Sequence, residues 1–246
     1  MFPTRNGRER GSSIPARWVA VIPLKAGAGA KSRLGATLGE RARASLAPAL
    51  ALDTVAAVLA CRRVREVIVV TDDAWIAAGP VGSGVRVVPD APNGGLNAAV
   101  EHGVRVAGAA PRGAGGDAPA GVVALNGDLP ALRPEELERV LLAARAPRCF
   151  VPDTEGTGTT MLTVAPGVAP EPRFGPDSRT RHLESGALEL RPLDVPGARR
   201  DVDTGADLLA ALELGVGPHT RRAWEGLGRP GATGGTGLRR SAGSRG

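Results

Sequence analysis

The sequence predicts an α/β fold, a three-layer sandwich around a mostly parallel sheet, and three observations lead there. Short apolar runs alternate with stretches of helical period, the pattern of strands joined by crossover helices on both faces of a sheet. At 246 residues the chain is long enough for one such domain with a sizeable core. Polar residues collect just past the apolar runs, at Lys25, Asp72, Asp90 and Asp128. Open α/β sheets bind ligands at that edge, although turns also gather polar residues for their own geometry.

Residues 18–24 (WVAVIPL) form a short apolar run and read as a buried first strand. Residues 39–60 are rich in Ala and Leu with helical period, and Pro48 is expected to kink them. Residues 66–70 (EVIVV) and 84–88 (GVRVV) are the second and third strands. A helix over 95–108 leads to a fourth strand at 121–125 (GVVAL), closed by Asn126, Gly127 and Asp128. Residues 134–146 suit a helix, with Pro134 in its first turn and Glu135 and Glu136 behind it, favourable against the helix dipole. Residues 148–151 and 160–164 read as further strands, the second a candidate for antiparallel pairing, and 207–214 as a closing helix. The Gly/Pro/Ala-rich stretch 111–119 reads as a surface loop.

Composition narrows the function. No apolar run approaches the roughly 18 residues that a membrane span needs. Residues 1–17 carry four arginines and no apolar stretch, unlike a secretory leader. Cys61 and Cys149 stand far apart without metal-ligand spacing, and are expected to be buried free thiols in a reducing cytoplasm. The formal charge of +6 belongs to the ends: residues 1–17 carry a net +3 and 221–246 a net +5, leaving 18–220 at −2. Both ends are rich in Gly, Ser and Arg and are expected to be disordered tails around a single domain at 18–220. A nucleic-acid partner needs a basic folded face with stacking aromatics, and three Phe, three Trp and no Tyr do not supply one.

The chemistry concentrates in residues 23–34 (PLKAGAGAKSRL). The chain has 29 Arg and two Lys, and both lysines sit here. Small residues between Lys25 and Lys31 let backbone N–H groups approach a phosphate, with Lys25, Lys31 and Arg33 to neutralise it. A Walker A loop is ruled out, because Ala30 stands where glycine must precede Lys-Ser and Lys25 where the earlier glycine belongs. Asp128, just past a buried strand, is placed to hold Mg²⁺, which takes one or two carboxylates plus phosphate oxygens. Asp201 and Asp203 offer two more carboxylates ahead of a helix, with Asp203 or Thr204 as its N-cap candidate. Residues 156–160 (GTGTT) and 174–178 (FGPDS) look like receptors for a small anion, the latter near a helix start. His182, alone among arginines, reads as a surface residue.

Taken together, residues 23–34, 95–99 (GLNAA), 127–132 (GDLPAL), 156–160, 173–178 and 201–204 (DVDT) resemble the 2-phospholactate/phosphoenolpyruvate guanylyltransferase family of deazaflavin coenzyme F-420 biosynthesis. The pieces span nearly all of 18–215 in the expected order; the tails match nothing in that pattern.

The resemblance implies a nucleotide-diphospho-sugar-transferase-like fold and Mg²⁺-dependent transfer of GMP from GTP to phosphoenolpyruvate or 2-phospho-L-lactate, with release of pyrophosphate. It puts Thr159, Gly175 and Ser178 on the acid and Asp128 with Asp201 or Asp203 on the metal. Lys25, Lys31 and Arg33 would face the GTP phosphates. Leu24, Asp72, Gly94, Gly95 and Asn97 complete the expected nucleotide-binding set, and Lys25, Lys31 and Asp128 the expected catalytic set. A homodimer is compatible with it, and a later F-420 biosynthesis enzyme would accept the product. The alternatives are a molybdopterin or sugar-phosphate nucleotidyltransferase on the same fold, or a nucleotide- or RNA-binding protein using its basic tails. The first usually carries a Gly-Gly pair that the lysine loop lacks.

Overall fold

The folded path starts on an apolar strand, β1 (Trp18–Pro23), and reaches β2 (Val64–Val70) through α1 (Ser32–Leu38) and α2 (Glu40–Ala60). A single helical turn, α3 (Ala74–Ala77), leads on to β3 (Val85–Val88), and α4 (Leu96–Ala109) crosses to β4 (Gly121–Leu125). Then come α5 (Pro134–Ala143), the pair β5 (Arg148–Pro152) and β6 (Thr159–Val164), α6 (Ser178–Glu184) and the short β7 (Leu188–Glu189). The helices α7 (Pro196–Arg199), α8 (Gly205–Leu214) and α9 (Pro218–Gly226) are the last elements among the described residues. The computed structural model describes residues 17–24, 31–78, 84–91, 93–109, 120–191 and 193–227, the Ser32 side chain excepted. Lys25, the 111–119 loop and most of both tails lie outside these residues.

The sheet order is β3-β2-β1-β4-β6-β5-β7. β6 alone runs antiparallel to its neighbours, β4 and β5, and the other pairs are parallel. The reversal follows from the turn at 153–158. There the Asp153 carboxylate accepts the N–H groups of Thr157 at 3.0 Å and Gly158 at 2.7 Å, folding β6 back on β5. β1 is an interior strand, buried on both faces. Trp18, Ala20 and Ile22 pack with α2 and α5 through Val55, Val58, Leu137 and Val140. Val19 and Val21 pack with α4 through Ala99 and Val100. That alternation between faces makes the three layers.

Three features of the fold depart from what the sequence predicts. α2 is, by length and composition, long and apolar enough to cross a membrane, though most of its apolar window is buried in the fold. Its face Leu46, Leu50, Val55 and Val58 belongs to the core. The domain does not stop at 220, because α9 runs to Gly226 against α2. The buried Asp53 of α2 caps it, accepting the N–H groups of His219 at 3.0 Å and Thr220 at 2.7 Å. The last part of the lysine loop is helical, forming α1.

Candidate active site

The ends of β1 and β4 and the β5–β6 turn open into a cleft of about 1000 Å³. Asp128 lies on its wall, in the turn after β4. The turn is fixed from below by Thr54 of α2, whose buried hydroxyl accepts the Leu129 N–H at 2.9 Å and donates to the Leu50 carbonyl at 2.9 Å. Gly127 lies close under Leu24, and a Cβ there would fall 2.1 Å from a Leu24 methyl, so that side chain would have to move. The Asp128 carbonyl accepts the Val202 N–H at 3.1 Å, tying this turn to the segment that carries Asp201 and Asp203.

That segment is anchored on both sides. Upstream, the buried Glu136 accepts the Gly197 N–H at 3.0 Å and holds α7 against α5. Downstream, Thr204 is the N-cap of α8 in a reciprocal box with Asp207, which settles the cap between Asp203 and Thr204. Both Asp201 and Asp203 therefore face the cleft instead of capping a helix.

Lys31 reaches into this acidic corner. Its ammonium bridges Asp128 Oδ2 and, at 2.6 Å, Asp203 Oδ1. Burial works against the Lys31 charge, but Asp128 and Asp203 together hold its pKa above the ordinary lysine range. Lys31 adopts a left-handed backbone, φ 58°, a strain commonly found at functional sites. Asp201 is pushed up to about 8, first by burial and then by the charges of Asp128 and Asp203, with Lys31 partly offsetting them.

The residues fit a divalent cation. Asp128 Oδ1 is buried with no hydrogen-bond partner, an orphaned anionic oxygen beside a second carboxyl that resists ionising. Among the described residues no three His, Cys, Asp or Glu side chains gather at ligand spacing, so Asp128, Asp201 and Asp203 are not a three-carboxylate set. Asp203 is turned to Lys31 and half exposed. One or two carboxylates completed by phosphate oxygens is the manner in which Mg²⁺ is held.

The other end of the cleft carries Thr159, Gly175 and Ser178. Gly175 sits at φ 111°, a conformation that side chains rarely adopt. At the α6 start the Ser178 N–H donates to Gly175 O at 3.1 Å and the Arg179 N–H to Thr157 O at 3.0 Å, so these two amides are already taken. The buried Thr159 hydroxyl lies 3.0 Å from His182 Nδ1. His182, expected at the surface, is fully buried between Phe150 and Phe174. Its ring is screened by two elements that its own sequence neighbourhood does not reveal.

Leu24, Lys31 and Arg33 line the cleft with the residues above; Lys25 lies outside the described residues. Three predicted groups do not join them. Asp72 turns away to accept the Asp90 N–H at 3.0 Å, and it is Asp73, the α3 cap, that faces the cleft. Asn97 spends its amide on the Phe174 backbone, at 2.8 and 3.2 Å, so it shapes the Gly175 turn. Gly94 and Gly95 are exposed ahead of α4. Asn126, Asp153 and Trp75 line the cleft without having been anticipated. Asn126 and Asp153 directly follow strands, the same position that pointed to Asp128.

A mostly parallel sheet with Lys31, Arg33 and facing aspartates at the ends of its strands has the architecture of the nucleotide-diphospho-sugar-transferase type. Solved structures agree on the fold. A Desulfovibrio desulfuricans G20 protein proposed to be a nucleotide-diphospho-sugar transferase matches with a TM-score of 0.55 at 16% identity, covering 84% of this chain and 97% of that one. The Rv0371c homologue of Mycobacterium sp. strain JC1 matches with a TM-score of 0.51 at 22% identity, covering 81% and 98%. The model of the CofC-like guanylyl transferases matches residues 18–228, and the chain belongs to that family. It is 56% identical over 205 residues to the phosphoenolpyruvate guanylyltransferase of Streptomyces coelicolor, covering 83% of this chain and 94% of that one. It is 52% identical over 219 residues to the same-named enzyme of Streptomyces avermitilis, covering 89% and 99%.

Proposed function

We propose that the protein transfers GMP from GTP to phosphoenolpyruvate, releasing pyrophosphate and giving enolpyruvyl-diphospho-guanosine for coenzyme F-420 biosynthesis in the cytoplasm. One observation carries the reading. A single cleft has Lys31 among Asp128, Asp201 and Asp203 at one end and the Thr159 and Ser178 hydroxyls at the other. It lies in a chain 56% identical over 205 residues to a phosphoenolpyruvate guanylyltransferase.

Lys31 and Arg33 neutralise the triphosphate, while Thr159, Ser178 and the Gly175 turn receive the acid. Asp128 and Asp201 hold Mg²⁺, which when bound screens the phosphate charges and polarises the α-phosphorus. An oxygen of the acid's phosphate attacks the α-phosphorus in line; a P–O bond forms there and the bond to pyrophosphate breaks. Two anions must meet, so neutralisation and positioning supply the rate. No covalent protein nucleophile is required.

The test is pyrophosphate release from GTP with phosphoenolpyruvate or 2-phospholactate, in EDTA and after Mg²⁺ is restored. Release with phosphoenolpyruvate and Mg²⁺, much weaker with 2-phospholactate and lost in EDTA, is expected. Equal turnover of both acids overturns the choice of acid, and full activity in EDTA overturns the metal assignment.

A further inference from the structure

We propose that His182 is a positioning residue that fixes the polarity of the Thr159 hydroxyl, so that its proton points to the acid substrate; this rests on the assignment of Thr159 to the acid subsite. His182 stands on α6 with no exposed surface. Phe150 stacks on the ring, centroids 5.4 Å apart at 25°, and Phe174 meets it edge-on at 5.4 Å and 80°. The imidazole is therefore held in one orientation.

The hydrogen bonds then decide where its proton lies. The Arg173 backbone N–H donates to Nε2 at 3.0 Å, so that nitrogen carries no proton. A neutral ring carries it on Nδ1, 3.0 Å from Thr159 Oγ1. Thr159 cannot donate to a nitrogen that already carries a proton, so its own hydrogen is left over. Among the described residues the hydroxyl has no other hydrogen-bond partner, and Thr159 lines the cleft.

The polarity matters because the oxygens of a phosphorylated acid, ionised, only accept. A threonine whose proton was spent on the histidine would turn a lone pair toward an anion. With the proton on Nδ1 instead, the same hydroxyl donates to it. The ring stays neutral because burial drives its pKa down to about 4, with Arg181, Arg148 and Arg173 adding to the effect against the pull of the Ser178 carbonyl. A protonated ring would also set Nε2–H against the Arg173 N–H, donor facing donor.

Two measurements test this. In the full-length wild-type protein, ¹⁵N-labelled at histidine, ring ¹⁵N shifts report which nitrogen is protonated. Of His102, His182 and His219, one is expected to keep a neutral Nδ1–H ring from pH 5 to 8, and its resonance is the one absent from H182Q. An Nε2–H ring at that position, or titration near 6.5, overturns the proposal whether or not any variant folds. The kinetic arm uses two substitutions. H182Q keeps a carbonyl near the Nε2 position for the Arg173 amide but puts no N–H at the Nδ1 position facing Thr159, whereas H182N keeps an amide donor there. H182Q is expected to raise the KM for phosphoenolpyruvate about 10-fold or more, the scale of one hydrogen bond to a charged group. The KM for GTP should move less than about twofold, with H182N recovering most of the loss. Equal losses in the two variants overturn the donor role. An Nδ1–H ring with the H182Q penalty falling on GTP also overturns the proposal, and locates the failure in the acid-subsite assignment rather than in the tautomer.

Discussion

Thr54→Val removes one oxygen and no volume to speak of, and it isolates what holds Asp128 in place. In the native protein that hydroxyl is the acceptor for the buried Leu129 N–H and a donor to Leu50 O, both at 2.9 Å. Valine leaves the Leu129 amide buried without a partner. An unsatisfied buried group costs about 1–3 kcal/mol. At about 2–4 °C per kcal/mol for a domain of this size, the melting temperature should fall by roughly 2–12 °C. Asp128 is the adjacent residue, and a displacement of about 1 Å in a catalytic group can cost about 10²-fold in rate. Turnover at 25 °C, where the variant is still folded, should therefore drop well beyond any loss of folded protein, and Thr54→Ser should restore both values. Calorimetry and a pyrophosphate-release assay read the two effects. A valine variant with unchanged melting temperature and turnover would show that Thr54 does not support the Asp128 turn.

Asp53→Ala should release α9 by removing the acceptor for two amides, lowering the melting temperature by the equivalent of about 1–3 kcal/mol while turnover below the transition stays near normal; calorimetry with the same assay checks it. The pH dependence of stability should carry the mark of His182. Its folded pKa of about 4 lies below the ordinary 6.5, so the unfolded chain takes the proton first. Its contribution is full above about pH 6.5 and is lost as pH falls toward 4, by up to about 3 kcal/mol. Asp201, raised to about 8, works in the opposite sense, its contribution being full below the ordinary carboxyl value and lost as pH rises from there toward 8. The wild type minus H182Q difference in unfolding free energy isolates the histidine and should shrink between pH 7 and 4; a constant difference would contradict the buried neutral ring.

The elements that sequence made legible are those whose cause is local. β4 is a run of five apolar residues, and Asp128 follows it at the edge where such sheets bind ligands. The paired lysines stood out because the chain otherwise uses arginine. What stayed hidden depends on distant partners. His182 sits among arginines, and Phe150 and Phe174, brought over from β5 and the loop before α6, pack on its ring. Asn97 is taken by the backbone of Phe174, 77 residues away. α9 lies in an Arg-rich stretch, and the acceptor that caps it, Asp53, is 166 residues upstream of His219. β7 has two residues and is defined by its pairing with β5 alone.

Under the proposed function the cleft has two anion subsites, a lysine–aspartate end for GTP and a hydroxyl end for the acid. Steady-state kinetics of Thr159→Val and Lys31→Ala, with each substrate varied in turn, test it most directly. Thr159→Val should lose roughly 10- to 150-fold in kcat/KM for phosphoenolpyruvate, the equivalent of one hydrogen bond to a charged group, with little change in the KM for GTP. Lys31→Ala should show the opposite pattern, its penalty falling mainly on GTP. Equal penalties on both substrates in both variants would contradict the two-subsite cleft.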